Sequence, residues 1–160
     1  MTSILCGLDG ATPVSCEALT HALAVLREDE ASPLLVDGVD VALECSGSGG
    51  HSAVLNLAAA GEQHSLFMKK ITAAAMAQRP WADRRRSLAY ARTEVRFYQE
   101  FAPRLRSSSC RIPRVASIEA QLEALGEGEV SAAAGEEPTD EQLQGCGAIF
   151  ILEPALEPAW

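Results

Sequence analysis

Leu66-Phe67-Met68-Lys69-Lys70-Ile71 is an apolar run that takes in two consecutive lysines. It reads as a strand over Ser65 to Ile71. Side chains alternate between faces along a strand, so Phe67 and Lys69 share one side while Leu66, Met68 and Lys70 share the other. Further along stands Glu94-Val95-Arg96-Phe97-Tyr98, near the end of a long helical pattern. It sets one glutamate among apolar and aromatic neighbours. A strand cation and a helix carboxylate are complementary, and a fixed cation suits a bound phosphate. Alternation alone leaves open which lysine meets the helix.

The residues before this strand extend it into a sheet. Val39 to Cys45 and Ala53 to Ala58 read as strands. Between them lies the small-residue loop Ser46-Gly47-Ser48-Gly49-Gly50-His51-Ser52, and Gly61 to His64 reads as a turn. Strand, glycine loop, strand, turn, strand is an antiparallel meander. A dinucleotide-binding reading of the loop would need a crossover helix between its flanking strands, and the turns are too short for one. Pro13 to Arg27 is helical in spacing, with Ser15 as N-cap. Residues 1–12, with Gly7 and Gly10, read as a flexible N-terminus.

After the strand, Trp81 to Ala102 is the longest helical pattern. Trp81, Leu88, Ala91, Val95, Tyr98 and Ala102 form its apolar face, the arginines read as a solvated face, and Pro103 marks its end. Pro113 to Ile118 reads as a fourth strand. Residues 125–145 are acidic and low in complexity, which predicts a long solvated loop. Gly147 to Leu152 is wholly apolar and reads as a buried fifth strand. The expected fold is α+β: a five-stranded antiparallel sheet, the long helix packed on it, and an N-terminal helix.

Bulk properties narrow the functional classes. The chain has 160 residues, 48% of them apolar, with a net charge of −9. That balance argues against a general nucleic-acid binder. Ten of the thirteen Lys and Arg residues lie between Arg79 and Arg114, and none follows Ile118. Such a split reads as two differently solvated faces, or as a basic face that meets an anion. The five cysteines are scattered and form no C-x-x-C, as for reduced thiols in a cytoplasmic protein. No membrane span and no secretory leader is legible.

The order of elements resembles the N-terminal lobe of the kinase-like fold, and within it the ecdysteroid-kinase-like (CHK-kinase-like) family, relatives of choline kinases and aminoglycoside phosphotransferases. Leu66 to Ile71 resembles that family's apolar-apolar-Lys strand, and Glu94-Val95-Arg96-Phe97-Tyr98 its E-x-x-F-Y helix. Ile112-Pro113-Arg114-Val115 resembles the entry to its fourth strand. Ile149-Phe150-Ile151-Leu152-Glu153 resembles its fifth strand and hinge. The resemblance spans residues 14–157, and 13–160 would be one lobe.

The resemblance implies an ATP-binding lobe of a small-molecule alcohol phosphotransferase. Lys69 would hold nucleotide phosphates and Glu94 would hold Lys69, with Lys70 pointing away. Ser46, Gly47, Ser48, Gly49, Gly50 and Ser52 would cover the phosphates. Leu152, Glu153 and Ala155 would form the hinge that meets the adenine. The sequence departs from the pattern at Pro154, which has no N–H where the family usually carries Asp. Residues 153–160 would be the hinge and a truncated end, since no catalytic-loop Asp or Asn follows Glu153. The chain alone is therefore expected to be inactive, with Mg²⁺ held only alongside a C-terminal lobe. The exposed hinge face would meet that lobe or a partner protein. The alternative is a non-catalytic kinase-like interaction module.

Overall fold

Three strands form the expected meander: β1 (Val36–Ser46), β2 (His51–Ala59) and β3 (Glu62–Thr72). The computed structural model describes residues 4–47, 50–105, 111–125 and 137–154. Around the meander lie α1 (Cys16–Arg27), α2 (Trp81–Arg96), α3 (Ala102–Leu105), β4 (Val115–Gln121) and β5 (Gly147–Leu152). The sheet order is β1-β2-β3-β5-β4 and every pair is antiparallel. The fold is thus α+β, with a five-stranded antiparallel sheet and a helix on each face.

The faces carry separate cores, as strand alternation requires. On the α1 side, Leu19, Leu23, Leu55, Leu57, Leu66, Met68, Ile149 and Ile151 pack together. On the α2 side, Ile71, Leu88, Ala91, Val95, Phe150 and Leu152 do so. β5 lies between β3 and β4, so its six residues are all buried. That is why it reads as continuously apolar. β1 is an edge strand and is exposed from Asp40 to Ser46.

Several local expectations are corrected. α1 begins at Cys16 rather than Pro13. The Ser15 hydroxyl accepts the Ala18 N–H at 3.1 Å, which fixes the start, while Pro13 bridges back to Cys6. The β2–β3 turn is Ala60-Gly61, with φ of 52° and 79°. Two positive φ values suit a two-residue hairpin whose twist matches its strands. Glu62 to His64 then pair with β2 and are not turn.

The segment before α1 is ordered from Ile4 onward. Ile4 and Leu8 are buried in the α1-side core. Asp9 closes a small turn by accepting from the Ala11 and Thr12 N–H groups and the Thr12 hydroxyl. Those bonds favour the ionised carboxylate and lower its pKa to about 2.

Pro103 does not end the helical run. Residues Phe97–Phe101 form a π-turn, in which the Ala102 N–H reaches the Phe97 carbonyl, and α3 continues to Leu105. A proline in a regular helix lacks the bond to residue i−4 and crowds that carbonyl. The wider turn directly before it accommodates both defects.

Arg84 is not on a solvated face. It is 4% exposed, and its guanidinium donates to Asp140 and Glu137, each at 3.1 Å. Its contacts draw residues 137–145 onto α2, and Leu143 joins the core there. That part of the acidic stretch is therefore docked rather than a solvated loop. Residues 126–136 of the stretch lie outside the described residues.

Candidate functional site

Lys69 lies opposite Ser52 of β2 and Phe150 of β5. Its face of the sheet is the one covered by α2. The Nζ donates to Glu94 Oε2 at 2.6 Å. Both side chains are partly exposed, Lys69 at 35% and Glu94 at 25%. Glu94 owes its position to Leu88, Ala91 and Val95, which fix the buried face of α2. The aromatic cluster behind it adds rigidity. Tyr98 lies with its ring centroid 5.3 Å from Phe97 and 6.0 Å from Phe150. Burial, and then the Glu94 charge, push the Tyr98 phenol pKa upward.

The ion pair forms part of the wall of an open cavity of about 720 Å³. That is a size suited to a small-molecule ligand. One wall is the β1–β2 hairpin, with Ser46, Gly47, Gly50 and Ser52; the floor carries Lys69 and Ile71. The other wall is the approach to α2 and one stripe of the helix: Arg79, Asp83, Arg86, Ser87, Tyr90 and Glu94. The steps between them are three, four or one, so they follow one side of the helix.

The hairpin itself explains only part of its glycine content. The Gly47 N–H donates to the Gly50 carbonyl at 2.9 Å and closes the tip. A Cβ on Gly50 would stand 2.3 Å from the Lys70 backbone oxygen, an impossible approach, whereas one on Gly47 would have its nearest neighbour at 4.0 Å. Gly50 is glycine because two strands meet there. Ser48 and Gly49 lie outside the described residues, as does Ala155.

Lys70 points to the other face and is 2% exposed. Its Nζ donates to the Cys6 carbonyl at 2.7 Å, pinning the N-terminal segment beneath the sheet. Desolvation lowers its pKa, and the nearby Cys6, Asp9 and Glu119 partly oppose that shift. The two lysines are thus assigned by geometry: Lys69 to the cavity, Lys70 to the interior.

Of the expected hinge, Leu152 and Glu153 do not line the cavity. Leu152 is buried between Phe67 of β3 and Val115 of β4. The Glu153 N–H donates to the Arg114 carbonyl at 2.8 Å, and the Glu153 carboxylate accepts from the Arg114 N–H at 3.3 Å. Arg114 also bonds Glu28 beyond the end of α1, at 2.8 Å. Glu153 therefore fastens the exit of β5 to the entry of β4, and its N–H is already engaged.

Sequence reasoning missed Arg79, Asp83, Arg86, Ser87 and Tyr90. Their signal is a polar stripe that runs back from Glu94 at helical spacing. Among the described residues, no group of three or more His, Cys, Asp or Glu could hold a metal ion. No helix among them is long and apolar enough to cross a membrane. Comparisons with family models, curated proteins and solved structures find no match to this chain.

Proposed function

We propose that this chain is a nucleotide-binding lobe of the kinase-like type, resembling the ATP-binding part of the ecdysteroid-kinase-like small-molecule phosphotransferases. The observation that carries the reading is the Lys69–Glu94 pair at 2.6 Å, set on a cavity that residues of β1 and β2 also line. The Lys69 ammonium is placed to neutralise phosphate charge, and Glu94 restrains a flexible side chain that would otherwise sample many rotamers. Ser46, Ser52 and Ser87 line the same cavity, and hydroxyls are able to supply neutral hydrogen bonds. The sequence holds no His-x-Asp-x-x-x-x-Asn segment. The role assigned to these residues is therefore holding the nucleotide, with the transfer step and Mg²⁺ left to groups of a catalytic lobe.

Calorimetric titration with ATP tests the reading. Wild type binds, and Lys69→Ala weakens binding at least tenfold by removing a charge-assisted contact. Lys70→Ala leaves binding unchanged once its folding is verified by circular dichroism. Equal loss in both variants, or no binding by wild type, removes the assignment.

A second reading, a non-catalytic interaction module, draws on Tyr90, Phe101 and Leu105, which are exposed along α2, the π-turn and α3. Failure to bind nucleotide, together with self-association or capture of a partner that Phe101→Glu abolishes, would favour it.

A further inference from the structure

We propose that Arg79 and Arg86 bind the terminal phosphates of a polyphosphate chain in this cavity, so that the site distinguishes a triphosphate from a shorter nucleotide. The proposal rests on the nucleotide reading above and extends it to residues outside the Lys69–Glu94 pair.

The argument begins with charge. Lys69, Arg79 and Arg86 line the cavity with Asp83 and Glu94, which leaves one formal positive charge in excess. Glu94 is engaged by Lys69 at 2.6 Å, and that pair is formally neutral. It positions a phosphate without balancing the several charges of a triphosphate. Asp83 stands 3.7 Å from Arg86, with both side chains more than half exposed. Such a surface contact contributes little, so a multiply charged phosphate can displace it. Among the described residues, Arg79 has no carboxylate within 4.0 Å.

Position adds the second argument. Arg86 precedes Glu94 by eight residues on α2. The two backbones are therefore about 12 Å apart along the helix axis. An extended arginine side chain and a short phosphate chain together span that interval. Arg79 lies beyond it, just before α2, on the same wall. A ligand whose first phosphate meets Lys69 would direct its last toward the two arginines. Guanidinium forks suit that role because they pair with phosphate oxygens bidentately. The same chemistry is offered by a nucleoside triphosphate and by inorganic tripolyphosphate, so the test carries both.

Titration of wild type, Arg79→Ala and Arg86→Ala with ATP, ADP, adenosine and inorganic tripolyphosphate decides the matter. Circular dichroism melts establish that the variants fold. Each substitution is expected to weaken ATP and tripolyphosphate about tenfold, ADP less, and adenosine not at all. Arg79→Lys should recover part of the loss. Equal ATP affinity in wild type and both variants overturns this proposal while leaving the nucleotide reading intact. Arginine-dependent binding of tripolyphosphate with ATP no tighter supports the arginines and overturns the nucleotide reading. Absence of tripolyphosphate and ATP binding by wild type overturns the proposal.

Discussion

Lys69 and Lys70 are neighbours in sequence and belong to opposite halves of the molecule. Lys69 reaches a carboxylate at the wall of an open cavity. Lys70 donates to a backbone carbonyl beneath the sheet and is almost wholly shielded from water. Strand alternation imposes this division, and the two helices give it chemical content. The α2 side combines an apolar core with a polar stripe of Arg79, Asp83, Arg86 and Glu94. The α1 side buries Ile4, Leu8, Leu19 and Leu23 against Leu55, Leu57 and Met68. The residue type at a position does not reveal its task here; the face to which it belongs does.

The largest expected effect would break the α2 side at its centre. Phe150 is fully buried and lies opposite Lys69. Phe150→Ala should lower stability by about 3–5 kcal/mol, because it removes transfer free energy and leaves a cavity. Urea unfolding followed by circular dichroism measures it. Since both cores share β3 and β5, the variant should still unfold in one transition. Two separate transitions would show that the faces are energetically independent.

A smaller effect tests the docking of residues 137–145 on α2. Removing Glu137 and Asp140 together strands a buried guanidinium, and their double substitution by alanine should cost about 2 kcal/mol. Arg84→Met removes the charge as well and keeps much of the volume, so it should cost less than about 1.5 kcal/mol. The reverse order in urea melts would mean that the ion pairs, rather than the desolvated cation, dominate.

The smallest effect concerns pH and the buried Lys70. Burial holds the Lys70 pKa below its ordinary 10.5. The unfolded chain then binds more protons than the folded one between that lowered value and 10.5, so stability attributable to Lys70 rises with pH through this window. Tyr98 shifts the other way, upward from 10.0, and opposes the rise only at the top of the range. Lys70→Met should flatten the climb below pH 10.5, as read by urea midpoints at successive pH values. If Lys70→Met leaves the climb in place, Lys70 is not its source.

Much of the sheet was legible because its signals are local. Alternation in β2 and β3, and the unbroken apolar run of β5, follow directly from which faces are covered. The Lys69–Glu94 meeting was implied by the resemblance to a kinase-like lobe, and alternation settled the face only once α2 was placed. Charged residues that are buried were not legible. Arg84 looks like any helix-surface arginine until Glu137 and Asp140, over fifty positions away, are brought to it. Lys70 required the carbonyl of Cys6, sixty-four positions earlier. Pro103 misled for a different reason: the π-turn that absorbs it has no strong composition of its own. The arginine stripe at the cavity could have been found by extending the Glu94 spacing backward through Ser87, Asp83 and Arg79.

The crowding at Gly50 also bears on how this gene can vary. Its Cβ would occupy the space of the Lys70 backbone oxygen, while Gly47 has free room around it. Selection on the hairpin should therefore act very unequally on two glycines only three positions apart. Steric room should let position 47 accept a side chain, whereas position 50 should tolerate none without a shift of the β3 backbone. A search pattern for distant cousins of this chain should accordingly be anchored at Gly50 and left open at Gly47.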